Sequence, residues 1–149
     1  MVTLSDALMY LRPGITIGPG GSVEISDDGS GSGPIITRWD DLSVQPTQVE
    51  LEATILPIKR AQTIVRIKAL AGEKILARYP LTKQLNMVAL ASDLQHRRIV
   101  GSFTQTDEVI EAALQVAWVW IKAIRAYSDE LEAKAMVNPD MDITLGWPE

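Results

Sequence analysis

The chain has 149 residues, 46% of them hydrophobic and 22% charged, with a net charge of −5 and no cysteine. Such a length and balance let it bury a core without covalent staples and argue against disorder throughout, and the missing thiols exclude disulfide scaffolds and thiolate metal sites. The charge is distributed unevenly: residues 1–53 carry −6, residues 54–104 carry +7 and residues 105–149 carry −6.

The opening residues, Met1 to Asp6, have neither a basic stretch nor an apolar run and do not read as a signal peptide. Thr3-Leu4-Ser5-Asp6 reads as a capping box, followed by a short helix with Leu4, Leu8 and Leu11 on one side and a stop at Arg12-Pro13-Gly14. Ile15-Thr16-Ile17 and Val23-Glu24-Ile25 alternate on either side of the Gly18–Gly21 turn. The run from Asp27 to Gly33 is a loop leading into Ile35–Trp39, so a small antiparallel sheet is expected, with Glu24 and Arg38 on its polar face.

Pro46-Thr47-Gln48-Val49-Glu50-Leu51 carries the marks of a helix start. Thr47 can accept from the amide of Glu50, Glu50 can reach back to Thr47, and Pro46 can pack on Leu51. Pro57 is expected to end or kink that helix, because it lacks a donor and crowds the preceding turn. Beyond it, Ile58, Ala61, Val65, Ala69, Gly72, Leu76 and Tyr79 fit a helical stripe, although Thr63–Lys68 also suits a strand. Helix is the preferred reading, weakened at Gly72. Tyr79-Pro80 turns the chain, Thr82 is placed as the cap of a helix through Leu94, and Leu85, Met87, Leu90 and Leu94 form its apolar side. Lys83, Gln84 and Asn86 lie on the polar side, and His96-Arg97-Arg98 suits the negative helix end.

The last helix is the strongest periodic signal. With Thr106 as cap, Ile110, Leu114, Ala117, Ile121, Ile124, Ser128 and Leu131 recur in steps of four and three, a heptad seam over residues 107–133. A second seam, Val109, Ala113, Val116, Trp120, Ala123 and Tyr127, widens the apolar face enough for two neighbours, either the chain's own earlier helices or copies from other subunits, while Trp118 points away from both seams. The most apolar part, Ala112 to Ile124, holds Gln115 and Lys122 and is shorter than the roughly 20 residues a membrane span needs. From Val137 to Glu149 no helix continues, and Trp147 near the end can anchor on another chain. Candidate interface residues are therefore Ile110, Leu114, Ala117, Trp118, Trp120, Ile121, Ile124, Tyr127, Leu131 and Trp147.

The predicted architecture is α+β: a small N-terminal antiparallel sheet with flanking helices, then a helical C-terminal half ending in a long amphipathic helix. Residues 1–56 form the first module, 57–136 a helical oligomerisation and packing module, and 137–149 a tail. No catalytic, metal or cofactor constellation is recognised. His96 has no triad pattern around it, the Gly18–Gly21 run lacks the Gly-Lys-Ser/Thr ending of a phosphate loop, and Asp27-Asp28-Gly29 lacks calcium-loop spacing. The basic middle, Lys59 to Arg98, could contact nucleic acid, but its acidic flanks favour pairing within or between subunits instead.

Two stretches resemble bacteriophage tail proteins. Asp6–Tyr10, Asp27-Asp28-Gly29, Ile36–Trp39 and Pro46–Glu52 look like the XkdW-type small tail proteins. Ala77-Arg78-Tyr79-Pro80-Leu81-Thr82-Lys83-Gln84-Leu85-Asn86-Met87 and the helix Val116–Arg125 are similar to segments of tail-fibre-associated and tail-fibre assembly proteins. The Gly-Ser loop and Thr82, where such segments commonly hold an aromatic, depart from that pattern. The resemblance implies a non-enzymatic, homo-oligomeric virion component of the tail, an adaptor to the tail fibre or baseplate, or alternatively a non-virion tail-fibre assembly chaperone. It implies a protein made in the host cytoplasm and carried in the virion tail, with a phage tail-fibre or baseplate partner; the charge balance and the short apolar run predict neither a nucleic-acid nor a membrane partner.

Overall fold

The computed structural model describes residues 2–27, 29 and 33–149. Its elements in chain order are α1 (Leu4–Leu11), β1 (Val23–Ser26), β2 (Ile35–Trp39), α2 (Gln48–Arg78), α3 (Leu81–Ile99) and α4 (Gln105–Val137). The architecture is α+β, a two-stranded antiparallel sheet near the N-terminus followed by helices, the last of them long. The chain divides into two compact units, Met1–Thr63 and Ile64–Glu149, with the division inside α2.

In the first unit, Thr3 accepts from the Asp6 amide at 3.1 Å while the Asp6 carboxylate accepts from the Thr3 amide at 2.8 Å, closing the expected capping box of α1. β1 and β2 pair with Glu24 opposite Arg38, and the two side chains form an ion pair at 2.7 Å on the polar face. An irregularity between Glu24 and Ile25 breaks the register, and the Thr37 hydroxyl donates to the Glu24 carbonyl there. Ile15–Ile17 does not add a third strand: Ile17 makes one isolated parallel bridge to Val23. The tight return after Thr16 brings Gly21 so close to the Thr16 carbonyl that a side chain at 21 would collide with it. Ala7, Leu8, Val23, Leu51 and Ile58 form the core, with Trp39 and Ile36 against it. Of the Asp27–Gly33 loop, Asp28 and residues 30–32 lie outside the described residues.

Thr47 and Glu50 make the expected reciprocal cap, at 3.3 Å and 2.7 Å, and Pro46 and Leu51 are both buried. Pro57, in contrast, neither ends nor divides α2, which runs through it. Buried Leu51 and Ile58 anchor the helix on both sides of the proline, and their burial opposes the roughly 3 kcal/mol that an interior proline costs. Residues 63–69 are helical. The buried stripe shares Ile58 and Tyr79 with the one expected but runs between them through Ile67, Ala71 and Ile75, whereas Val65 and Leu76 are exposed. Both stripes are helical in period, and only tertiary packing decides between them.

Two caps also differ. α3 starts at Leu81 with Pro80 in the cap position, and Thr82 caps nothing; instead the Gln84 side-chain nitrogen donates to the Tyr79 carbonyl at 2.6 Å. α3 continues past Leu94 to Ile99 and buries Met87 and Leu94, but Leu85 and Leu90 face solvent. α4 is capped by Thr104 and not by Thr106, because Asp107 lies three residues after Thr104 and can complete a capping box.

Candidate interaction surface

The second unit is organised around α4. Asp107 is buried and accepts at once from the Thr104 amide (2.9 Å), the Thr104 hydroxyl (2.8 Å) and Arg97 (3.0 Å). These contacts, the Thr104 amide foremost and then its hydroxyl, hold the Asp107 carboxyl below the ordinary carboxylate range. Arg97 also pairs with Asp93 at 2.6 Å, and Arg98 reaches Glu111 at 2.6 Å. The end of α3 is thereby tied to the start of α4, and His96 is simply a residue of the last turn of α3. Lys68 pairs with Glu132 at 3.3 Å. Part of the basic middle thus meets acidic groups of the same unit, as its charge balance suggested.

The first seam of α4 is spent inside the unit. Ala117, Ile121, Ile124, Ser128 and Leu131 are buried and continue to Ala135, packing with Ile67, Ala71, Ile75 and Tyr79 of α2 and Met87 of α3. Ile110 and Leu114 are half-buried, and Leu114 and Trp118 pack against this cluster, so Trp118 is not directed away from the core. Ile121 and Ile124 are 0% exposed, which leaves no surface for another chain in this conformation.

The tail is equally engaged. After α4 the chain folds back to bury Pro139, Ile143 and Trp147. The Trp147 ring NH donates to the Ile143 carbonyl at 2.9 Å, its ring meets Tyr127 edge-on at 5.1 Å, and the Tyr127 hydroxyl donates to the Leu145 carbonyl at 2.9 Å. Lys74 lies 5.7 Å from the Trp147 ring. Gly146, at φ +80°, passes so close to Tyr127 that a side chain there would strike the hydroxyl. Trp147 is an anchor, but its partner is its own unit.

The second seam divides in two. Its C-terminal half is partly covered: Trp120 is half-buried beside Tyr79 (5.6 Å) under the Arg78 guanidinium (4.7 Å), and Ala123 and Tyr127 are half-buried too. Its N-terminal half is open. Val109 and Val116 are each 67% exposed, Ala113 is exposed, and on the same side stand exposed Ala112 and Val119. Val109, Ala112, Val116 and Val119 recur in steps of three and four with Ala113 beside them, making one apolar stripe over about three helical turns. α3 shows a second such stripe in Leu81, Leu85 and Val88. Sequence reasoning placed Val109, Ala113 and Val116 in a seam but took its interface residues mainly from the other seam, of which Ala117, Ile121, Ile124 and Leu131 are buried in the core.

Among the described residues no group of three or more His, Asp or Glu is placed to hold a metal ion, and no helix is long and apolar enough to cross a membrane. A groove of this unit, lined by Lys68, Ala71, Ile75, Gln84, Arg125, Ser128 and Glu132, is open to solvent, and in it the Ser128 hydroxyl donates at 3.4 Å to the Glu132 carboxylate that Lys68 also holds. No protein-family model matches the chain, and no curated protein and no solved structure does so either.

Proposed function

We propose that the chain is a non-catalytic structural protein of a bacteriophage tail, an oligomeric adaptor that joins the tail fibre or baseplate. The observation that carries the reading is the open apolar stripe on α4, Val109–Val119, on a helix whose other side is fully used by the core. Exposed aliphatic side chains in one row are a contact surface in search of a second chain, whereas scattered ones would need no explanation. That row serves the oligomer, and the resemblance of Ala77–Met87 to tail-fibre-associated segments supports the exposed α3 stripe, Leu81, Leu85 and Val88, as the side that meets the fibre or baseplate. The reading includes no nucleic-acid role, since Arg97, Arg98 and Lys68 are drawn into ion pairs with Asp93, Asp107, Glu111 and Glu132. The protein would be made in the host cytoplasm and end in the virion tail.

Co-expression with the product of the adjacent fibre gene tests it. The two proteins are expected to elute together in gel filtration, and Leu85→Asp or Val88→Asp, both on exposed positions, should reduce that complex while leaving the helical content unchanged. Elution as separate species, or turnover of a cell-wall substrate by the purified chain alone, would reject the reading.

A further inference from the structure

The open stripe of α4 has a feature that a generic sticky surface lacks: the polar residues beside it are complementary to themselves when the helix is reversed. Taking Val109 and Val116 as one set of core positions and Ala112 and Val119 as the other, the flanking row at seven-residue spacing that starts one residue before Val109 is Glu108, Gln115 and Lys122. All three are exposed, and neither Glu108 nor Lys122 is held in an ion pair among the described residues. Acid at one end, amide in the middle and base at the other is a palindrome of charge.

We infer that residues 108–122 of α4 pair antiparallel with the same segment of a second copy of this chain. The register follows from the pattern. Val109 stands against Val119 of the partner subunit and Ala112 against Val116 of the partner subunit, each contact occurring twice about a two-fold axis. In that register the Glu108 carboxylate meets Lys122 of the partner subunit at both ends, and the two Gln115 side chains face each other at the middle. Antiparallel helices bring the equivalent flanking rows together in this way, and a two-fold pair is the commonest closed assembly. A parallel pair would instead bring both Glu108 residues to one end, with no Lys122 to meet. Ala112 and Ala113 favour close approach of the two helices, at interaxial distances of about 8–10 Å. The segment is about 21 Å long at 1.5 Å per residue. Such a contact buries on the order of 1,000 Å² in total, the low end for a specific interface, and corresponds to a reversible dimer of roughly micromolar Kd.

The pairing deepens the proposal of an oligomeric adaptor and rests on its oligomeric part alone; it needs no fibre protein to be observed. The test is sedimentation of the full-length chain by itself, in wild type and in the surface variants Glu108→Lys and Lys122→Glu. Wild type is expected to show a species of twice the 16.3 kDa chain mass at concentrations of about 0.1 mM. Each single variant puts like charges opposite one another at both ends and should associate about tenfold more weakly, because two attractive pairs become repulsive. An equimolar mixture of the two variants restores opposite charges at both ends and should form a mixed dimer at least as readily as wild type. Circular dichroism of each variant should match wild type, since both side chains are exposed. A wild type that stays at the chain mass, single variants that dimerise like wild type, or a mixture no tighter than its components would each overturn the pairing. A monomeric chain that still binds the fibre would sink the pairing and leave the adaptor reading standing.

Discussion

Replacing Trp147 with alanine should destabilise the second unit even with no partner present. The side chain is 8% exposed and joins Ile143 and Tyr127 in the core cluster. Truncating a buried aromatic residue costs about 3–5 kcal/mol, and the loss of the edge-on Tyr127 contact and the 2.9 Å hydrogen bond to Ile143 places this one at about 4 kcal/mol. In a unit of this size a loss of that order lowers the melting temperature by about 15–30 °C. The assay is thermal unfolding followed by circular dichroism, with hydrogen exchange on peptides from 67–79 and 117–131 to locate the loss in the second unit. Leu145→Ala provides a control within two residues: Leu145 is 68% exposed, and its truncation should change stability by no more than about 0.5 kcal/mol. A Trp147→Ala melting point within about 2 °C of wild type, with unchanged exchange in both peptides, would refute the docked tail.

Three further outcomes follow from the same packing. Ile121→Asp with Ile124→Asp should unfold the second unit and not merely separate folded subunits, because both positions are wholly buried and a charge there has no partner; circular dichroism that retains wild-type helicity with a lower mass would contradict this. Gly72→Ala should stabilise α2 by about 0.5–1 kcal/mol, since position 72 is helical and a methyl group there meets nothing within 4 Å; a fall in melting temperature would show the site is not open. The carboxyls of Asp6, Glu50, Asp107 and Asp142 are all held below their ordinary range, chiefly by hydrogen bonds from Thr3, Thr47, Thr104 and Thr144. Their contribution is therefore complete above the ordinary carboxylate range and is lost as pH falls through the depressed values, so the melting temperature should be level near neutrality and drop below about pH 4. A melting temperature that stays level into strong acid would contradict it.

What the sequence disclosed and what it hid divide along the range of the forces involved. The caps at Thr3 and Thr47 were legible because both partners lie within three residues, and the same rule applied consistently would have selected Thr104, which has Asp107 three residues on, over Thr106, which has Val109. The length and main seam of α4 were legible from a period held over many turns. The passage of α2 through Pro57 was not, because the local cost is visible in the sequence and the burial of Leu51 and Ile58 that opposes it is not. The choice between the two stripes of α2, the fate of Leu85 and the return of Trp147 onto Tyr127 depend on distant side chains in the same way. For the interaction surface the consequence was a reversal of emphasis: Ile121, Ile124 and Leu131 were selected for their place in the main seam and Trp147 as an aromatic near the end, and the unit's own core takes all four. The surface left over is made of Val109, Val116 and Val119, weaker residues in the second row.

The central claim is that this chain belongs to a phage tail, and quantitative mass spectrometry of purified particles with chemical cross-linking tests it most directly. The account predicts its peptides in the particles in fixed ratio to the fibre or baseplate protein, with cross-links to that protein from Lys83 of α3. Particles that carry the fibre and baseplate but none of this chain would contradict it.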